Sequence, residues 1–511
     1  MFIALFLLVI GCVNFVNLAT AQATARAHET GVRKVLGSGR WHIAQQFLTE
    51  TALIVGFATI IALGLTAVFL PVVNGITQES IAFNLVQNLP LLLVLVSLGL
   101  VVTVVAGFYP AVVLSAFGPL RAIRKTTEAS SGGRGISLRR ILVVLQFVIA
   151  QVLIVCMLVV SGQLNFFRNA PMGFEKGNVL LVPVPNDSLS QTHWQACENR
   201  IASLAGVNGI SFSTFPPSTD SHWRSDFNFD HSPTMTPFNA DLQWAEPGFL
   251  SLYEVPLVAG RIYHQSDTPR EFVVNEMLVK KLGFSSPDAI LGKQVSFWKG
   301  QYAGPIVGVV KDFHVRSLAS EITPVVFGSW RDVFRYLNVK IQPEQTRDVL
   351  ASVRQIWEEA FPKYVYESQF LDQKIINFYQ RIDQLSLLYR IFAFIAIFLS
   401  SLGLYGLVSF STERRVKEVG VRKVLGASVW SVVKLFSREF TILVAVAFTV
   451  AAPLAYVLMS RWLENYAYHI SPGVGLFLAA FAGSLVVAWL AVGYRAFRAA
   501  LANPVESLRY E

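Results

Sequence analysis

Seven apolar runs of bilayer-crossing length constrain this chain more than any other feature. They lie at 2–20, 51–73, 89–117, 141–164, 385–410, 440–462 and 476–494. A helix needs roughly 20 apolar residues to cross the hydrocarbon core. Lipid cannot hydrogen-bond to a backbone, so spanning segments satisfy their own polar groups as helices or closed barrels. The expected fold class is a polytopic α-helical membrane protein with about seven transmembrane helices. Only 15% of its 511 residues are charged, against about 25% in a soluble domain. The first run lacks a basic n-region and a small-residue cleavage site leading into a soluble domain, so it reads as a retained span.

Charge gives the orientation. Net charge is +9, which could indicate nucleic acid. The Lys and Arg residues instead flank the apolar runs, so no nucleic-acid partner is expected. Arg26, Arg33, Lys34 and Arg40 follow the first run, and Arg121, Arg124, Lys125, Arg134, Arg139 and Arg140 follow the third. Arg414, Arg415, Lys417, Arg422, Lys423 and Lys434 follow the fifth, and Arg495, Arg498 and Arg509 the last. The stretch 73–88 has no Lys or Arg, and 460–473 has only Arg461. The positive-inside rule puts the basic segments in the cytoplasm. The N-terminus and the polar stretch 165–384 are then outside and the C-terminus is cytoplasmic. Cys12 and Cys156 sit inside apolar runs and Cys197 stands alone in the polar stretch, so no disulfide or metal framework is read.

The string GVRKVLG occurs at 31–37 and again at 420–426, an offset of 389 residues. Twelve of 25 positions from Arg26 to Glu50 are identical to their partners from Arg415 to Glu439. They include Glu29 and Glu418, Trp41 and Trp430, and Phe47 and Phe436. The endings echo each other too, SAFGPLRAIR to Arg124 and AALANPVESLR to Arg509. Spans one to three therefore duplicate spans five to seven, as parallel repeats about an axis along the membrane normal. Within the strings, Val32, Val35, Leu36 and Val421, Val424, Leu425 have helical spacing with a narrow apolar stripe. Glu29 and Glu418 stand four residues before Arg33 and Arg422, a favourable pair on a helix. Gly37 and Gly426 are suited to ending that helix in a left-handed conformation. Interfacial anchoring by anionic lipid would explain the charges. It would not require a near-identical heptad with fixed Glu and Gly, whereas a protein docking surface would.

Span four and the polar stretch have no partner in the first unit. The organisation expected is a first three-helix unit at 1–124 with a cytoplasmic coupling segment at 21–48, a linker at 125–140 and a span at 141–164. An extracytoplasmic domain follows at 165–384. A second three-helix unit occupies 385–511, with its coupling segment at 412–436. By the size of the second unit, a chain with an additional N-terminal span and ectodomain would have about 750 residues, and an N-terminal truncation is expected on that ground. In the polar stretch, strand-type runs at 179–184, 209–214, 271–274 and 305–310 alternate with helix-type patterns at 275–282, 346–360 and 374–385. That order implies an α+β domain. The last pattern is expected to continue into span five as an unbroken stalk.

ERRVKEVGVRKVLGAS resembles the cytoplasmic coupling segment of FtsX-like, MacB-type ABC permeases. LRRILVVLQFVIAQVLIV resembles that family's ectodomain-preceding span. GFEKGNVLLVPV, EFVVNEMLVKKLGF, AILGKQV and IVGVVKDFHVRSL resemble its MacB-like periplasmic core domain. The resemblance covers nearly the whole chain and is nearest to double-unit members. It implies mechanical transmission between a separate ABC ATPase dimer, which would bind ATP and Mg, and the ectodomain. Glu29, Gly31, Arg33, Lys34, Gly37 and Glu418, Gly420, Arg422, Lys423, Gly426 would form the two ATPase-coupling sites. Periplasmic or outer-membrane proteins are further candidate partners.

Catalytic patterns are scarce. No G-x4-G-K-[ST] loop occurs, so no ATP phosphate site and no cofactor are expected in this chain, and no enzyme activity. GSGR at 37–40 and SGGRG at 131–135 follow no strand, and no G-x-S-x-G elbow is present. His222, Asp226, Asp230 and His231 in DSHWRSDFNFDH read as a polar surface loop more readily than as a metal site. Asn14 and Asn17 in span one read as helix glue or path lining, and Pro453 as a kink in span six. Export or extraction of a substrate is the leading function. A signalling or division-type permease regulating an outside hydrolase is the alternative. An ion-coupled transporter would want Asp or Glu within the spans, and none is found.

Overall fold

The computed structural model describes residues 2–23, 27–78, 80–84, 88–116, 138–219, 221–414, 422, 425–426 and 428–501. Seven of its helices are long and apolar enough to cross a membrane. They are α1 (Phe2–Ala23), α3 (Arg40–Thr77), α4 (Leu89–Ala116), α5 (Leu138–Asn169), α11 (Gln380–Arg414), α12 (Val429–Leu463) and α13 (Val474–Leu501). The short α2 (Ala27–Val35) lies between the first two. Pro71, Pro110 and Pro453 fall inside α3, α4 and α12, a placement that membrane helices tolerate.

The chain divides into two compact units. The first comprises 1–162, 382–461 and 471–511, and the second 163–381 with 462–470. Within the first, α3 and α4 present Phe57, Ile60, Val68, Leu93 and Val104 outwards, as lipid-facing helices do. The window through α5 is 78% buried, whereas no other spanning window exceeds 33%. The span without a repeat partner is thus the one enclosed by others. Ile149, Ala150 and Leu153 of α5 pack with Ile10 of α1 and with Ala393 and Ala396 of α11.

The second unit is an α+β domain. Its strands are β1 (Val179–Pro183), β2 (Val207–Ser213), β3 (Trp223–Ser225), β4 (Asn228–Phe229), β5 (Ala240–Trp244) and β6 (Leu257–Gly260). The series continues with β7 (Phe272–Asn275), β8 (Gln294–Phe297), β9 (Tyr302–Val310), β10 (Val325–Gly328), β11 (Tyr336–Ile341) and β12 (Gln369–Phe370). One sheet is antiparallel in the order β12-β1-β11-β2. The other is mixed in the order β3-β5-β10-β7-β9-β8-β4, with β6 on β9 and parallel pairs at β5/β10 and β7/β9. Helix α6 (Ser188–Ala202) starts where the Asp187 carboxylate accepts the amides of Leu189 and Ser190, satisfying two of the orphan donors at a helix start. It packs with α9 (Thr346–Ala360) over the first sheet. Trp194, Phe212 and Phe334 stack beneath them. Short α7 (Gly248–Leu252), α8 (Glu276–Lys281) and α10 (Leu371–Phe378) complete the unit. A single apolar core runs through both sheets, from Leu180 and Trp194 to Trp244 and Phe297.

The sequence-read helix at 346–360 coincides with α9. The expected unbroken stalk from 374 does not form. Helix α10 stops at Phe378, and Tyr379 adopts φ −88°, ψ 6° before α11 starts. The break has a tertiary cause. The Tyr379 ring stacks on Phe167 at 4.7 Å, and its hydroxyl accepts the Leu318 amide at 3.0 Å.

Candidate functional site

The first coupling string forms most of α2 and its C-terminal turn. Glu29, Gly31, Arg33 and Lys34 lie on the helix, and Gly37 follows with φ +96°. The Ser38 amide donates to the Arg33 carbonyl at 3.0 Å and the Gly37 amide to the Lys34 carbonyl at 3.1 Å. This is the Schellman pattern, in which a left-handed glycine lets two amides reach back over the last turn. Three residues later α3 starts, with Trp41 in its first turn, and continues as one helix through the bilayer-length run. The amphipathic re-entry and the second span are therefore a single rod. The Arg33 guanidinium donates to Gln46 Oε1 at 2.7 Å, and Gln46 Nε2 donates to Glu50 Oε1 at 3.3 Å. These bonds tie the coupling helix to the rod. Desolvation, then the Arg40 charge, lowers the Lys34 pKa.

In the second copy, Gly426 has φ +89°, matching Gly37, and Arg422 is exposed. Glu418, Gly420 and Lys423 lie outside the described residues, as does the Glu29 side chain, so both expected Glu–Arg pairs do too. Glu439, the counterpart of Glu50, pairs with Arg140 of α5 at 3.0 Å. Leu36 and its counterpart Leu425 are each 80% exposed, and Trp41 and Trp430 68% and 75%. Two equivalent turns thus hold up apolar side chains on a backbone fixed by glycine.

Polar groups inside the first unit gather where α1, α5 and α11 meet. Asn14 Nδ2 donates to the Leu399 carbonyl at 2.7 Å, so Asn14 does act as glue. Among the described residues, Asn14 Oδ1, both Asn17 amide atoms, Gln146 Nε2 and Ser400 Oγ have no hydrogen-bond partner. Asn17, Gln146 and Ser400 are at most 3% exposed.

In the second unit, residues 462–470, the last two residues of α12 and the start of its connection to α13, fold into the ectodomain. Gln163 Nε2 donates to the Tyr468 carbonyl at 3.0 Å, and Gln163 Oε1 accepts the Ile470 amide at 2.9 Å. The Ala467 amide donates to Ala319 O at 3.0 Å. Tyr466 sits edge-on to Phe167 at 5.4 Å, and Tyr468 edge-on to His314 at 4.8 Å. Nothing in the sequence pattern of this loop announces such a clasp.

The DSHWRSDFNFDH run contributes β3 and β4, the two opposite end strands of the mixed sheet. His222 packs on Phe215, and Asp230 pairs with Lys293 at 2.6 Å. Arg224 and Arg316 hold the buried Asp241 at 3.1 and 2.7 Å. Burial pushes the Asp241 carboxyl up, but its bonds with Arg316 and Thr323 more than offset this and leave it below its usual range. Among the described residues, no three His, Cys, Asp or Glu side chains come together to hold a metal ion.

The family described as FtsX-like permease C-terminal matches residues 1–119 and again 390–504. The two matches start 389 residues apart, the offset of the two GVRKVLG strings. The macrolide export ATP-binding/permease protein MacB of Neisseria meningitidis serogroup A is 35% identical over 77 residues, 15% of this chain and 12% of that protein. MacB of Psychrobacter cryohalolentis is 26% identical over 123 residues, 24% of this chain and 18% of that protein. The chain thus matches less than a fifth of the length of these relatives. Among solved structures, the periplasmic region of MacB from Actinobacillus actinomycetemcomitans aligns with 41% of this chain and 96% of its own, at 14% identity and TM-score 0.30. The extracellular domain of the ABC-type transporter YknZ aligns with 38% and 100%, at 13% identity and TM-score 0.27. Each copy of the duplicated three-span unit thus matches the FtsX-like permease C-terminal family, and the chain is similar to MacB-type ABC transporter permeases.

Proposed function

We propose that this chain is the membrane permease of an ABC transporter whose ATPase is a separate subunit pair, and that Leu36 and Leu425 are the centres of its two docking turns. The observation that carries the reading is their equal and high exposure at equivalent positions, each followed by a left-handed glycine. An apolar side chain held out on a fixed backbone suits a complementary protein pocket, and aliphatic or aromatic anchors dominate such contacts. Glu29, Arg33, Lys34, Glu418, Arg422 and Lys423 then supply the charged rim. ATP and Mg belong to the ATPase. Closure of the ATPase pair shifts the permease only if it binds the two permease states unequally. The rod α3, tied to α2 at its cytoplasmic end, and the long α11 carry that bias towards the outside, for export or extraction of a cargo. In this reading the N-terminus is outside and the coupling turns are cytoplasmic.

The test is co-purification of the ATPase subunit and its stimulated ATP hydrolysis. Leu36→Asp with Leu425→Asp, and separately Glu418→Lys, lower both without changing the amount of chain inserted in the membrane. Unchanged complex yield and hydrolysis in these variants would assign the turns to lipid anchoring.

A further inference from the structure

Parallel repeats related by a two-fold place equivalent residues opposite one another on the axis itself, where residue i meets its own counterpart. The repeat offset, carried without a gap through α1 and α11, makes Gly403 the counterpart of Asn14, Gly406 of Asn17 and Ala396 of Leu7. Asn14 meets its own counterpart. A Cβ built on Gly403 would collide with Asn14 Oδ1 and lie 3.2 Å from Gln146 Nε2. Near the next pair, a Cβ on Gly406 would touch Leu18 Cδ1 at 3.5 Å. At the third, Ala396 is fully buried in the cluster that Leu7 packs against. At all three pairs α1 has the large residue and α11 the small one.

We infer that this seam is a knob-and-hole determinant that pairs the first unit with the second unit of the same chain and rejects a second copy. Two α1 helices meeting in this way would bring Asn14 against Asn14, with both amides in one volume. Two α11 helices would bring Gly403 against Gly403 and leave a gap. Only the mixed pair fills the space and gives Asn14 Nδ2 the Leu399 carbonyl. Gln146, Asn17 and Ser400 sharpen the choice, because a polar residue at a buried helix seam fixes the partner at a cost in stability. A cation is a poor occupant of this cluster. It would satisfy the oxygens but oppose the unpartnered N–H groups of Asn17 and Gln146. One chain then supplies both halves of the permease. This inference holds whether or not the coupling turns bind an ATPase.

The exchange of knob and hole tests it on the full-length chain in detergent, read as monodisperse yield and melting temperature. Gly403→Asn alone, which places Asn in both repeats, lowers monodisperse yield by about tenfold. Asn14→Gly with Gly403→Asn brings it back to within about twofold of the original chain, a non-additivity expected only of residues in contact. An exchange variant no better than Gly403→Asn would overturn the inference. In a second arm, two copies of the unaltered chain bearing different tags are co-expressed. They do not co-purify if the halves pair within a chain, and stable co-purification would overturn the inference.

Discussion

Gly37 and Gly283 separate a coupling effect from a folding effect at the level of single residues. Both have positive φ, and a Cβ on either would meet no atom within 4 Å. Alanine at each position therefore costs about 1 kcal/mol of left-handed strain and nothing from crowding. Gly37→Ala is expected to reduce stimulated ATP hydrolysis several-fold by loosening the turn that holds Leu36. Gly283→Ala is expected to lower the melting temperature slightly and leave hydrolysis unchanged. Glu246 gives a pH prediction. Burial first, then the Glu198 charge, pushes its carboxyl up from 4.5 to about 7. Its raised pKa means the folded state keeps a proton that the unfolded state has lost. Stability from this group is fully present below pH 4.5 and is lost as pH rises through 7, by on the order of 3 kcal/mol. Glu246→Gln should flatten the melting temperature between those pH values. No flattening would mean the carboxylate is already ionised in the fold. Gly37 was legible in the sequence because its helix and cap are local. Glu246 was not, since its hydrogen-bond partners Phe212 and Gln265, and the Glu198 charge, come from distant segments.

Helices and strands divide by how local their causes are. Helix α9 was readable because Val349, Val353, Ile356 and Trp357 recur at helical spacing and all four are buried. Strand β5 was not, because Asp241 and Gln243 interrupt its apolar pattern. They are buried only because Arg224, Arg316 and the Phe215 carbonyl await them. The stalk break at Tyr379 belongs to the same class. Its sequence reads as helix, and the stacking on Phe167 overrides it. The loop 462–470 is held by Gln163 through two hydrogen bonds, so Gln163→Leu leaves two backbone groups without their partner. With about 1–3 kcal/mol for each buried group left unsatisfied, amide exchange at Ile470 and Ala467 is expected to quicken by at least tenfold. Exchange at Val182, in the centre of the first sheet, stays as it was. Equal acceleration at both places would mean that Gln163 supports the whole domain.

At the scale of the molecule, the repeat and the seven spans were legible, while the central position of α5 was not. Period and hydropathy report what enters a bilayer, and enclosure depends on which helix the others surround. The native cysteines Cys12, Cys156 and Cys197 are all buried, so a cysteine introduced at an exposed position can be read against a low background. Cysteines at Thr77 and Thr234 should react with an impermeant thiol reagent in intact cells, and one at Ser131 should not. Labelling at Ser131 would reverse the orientation. The contribution of 462–470 to the ectodomain also sets an order of assembly during translation. Arg381 leaves the ribosome about 80 residues ahead of Trp462, roughly 4 to 16 s at ordinary elongation rates. During that interval the nascent domain has both sheets yet lacks Tyr466 against Phe167 and two partners for Gln163. It is completed only when the sixth crossing has delivered its outer end, which makes the domain's maturation a report that the second membrane unit has been inserted.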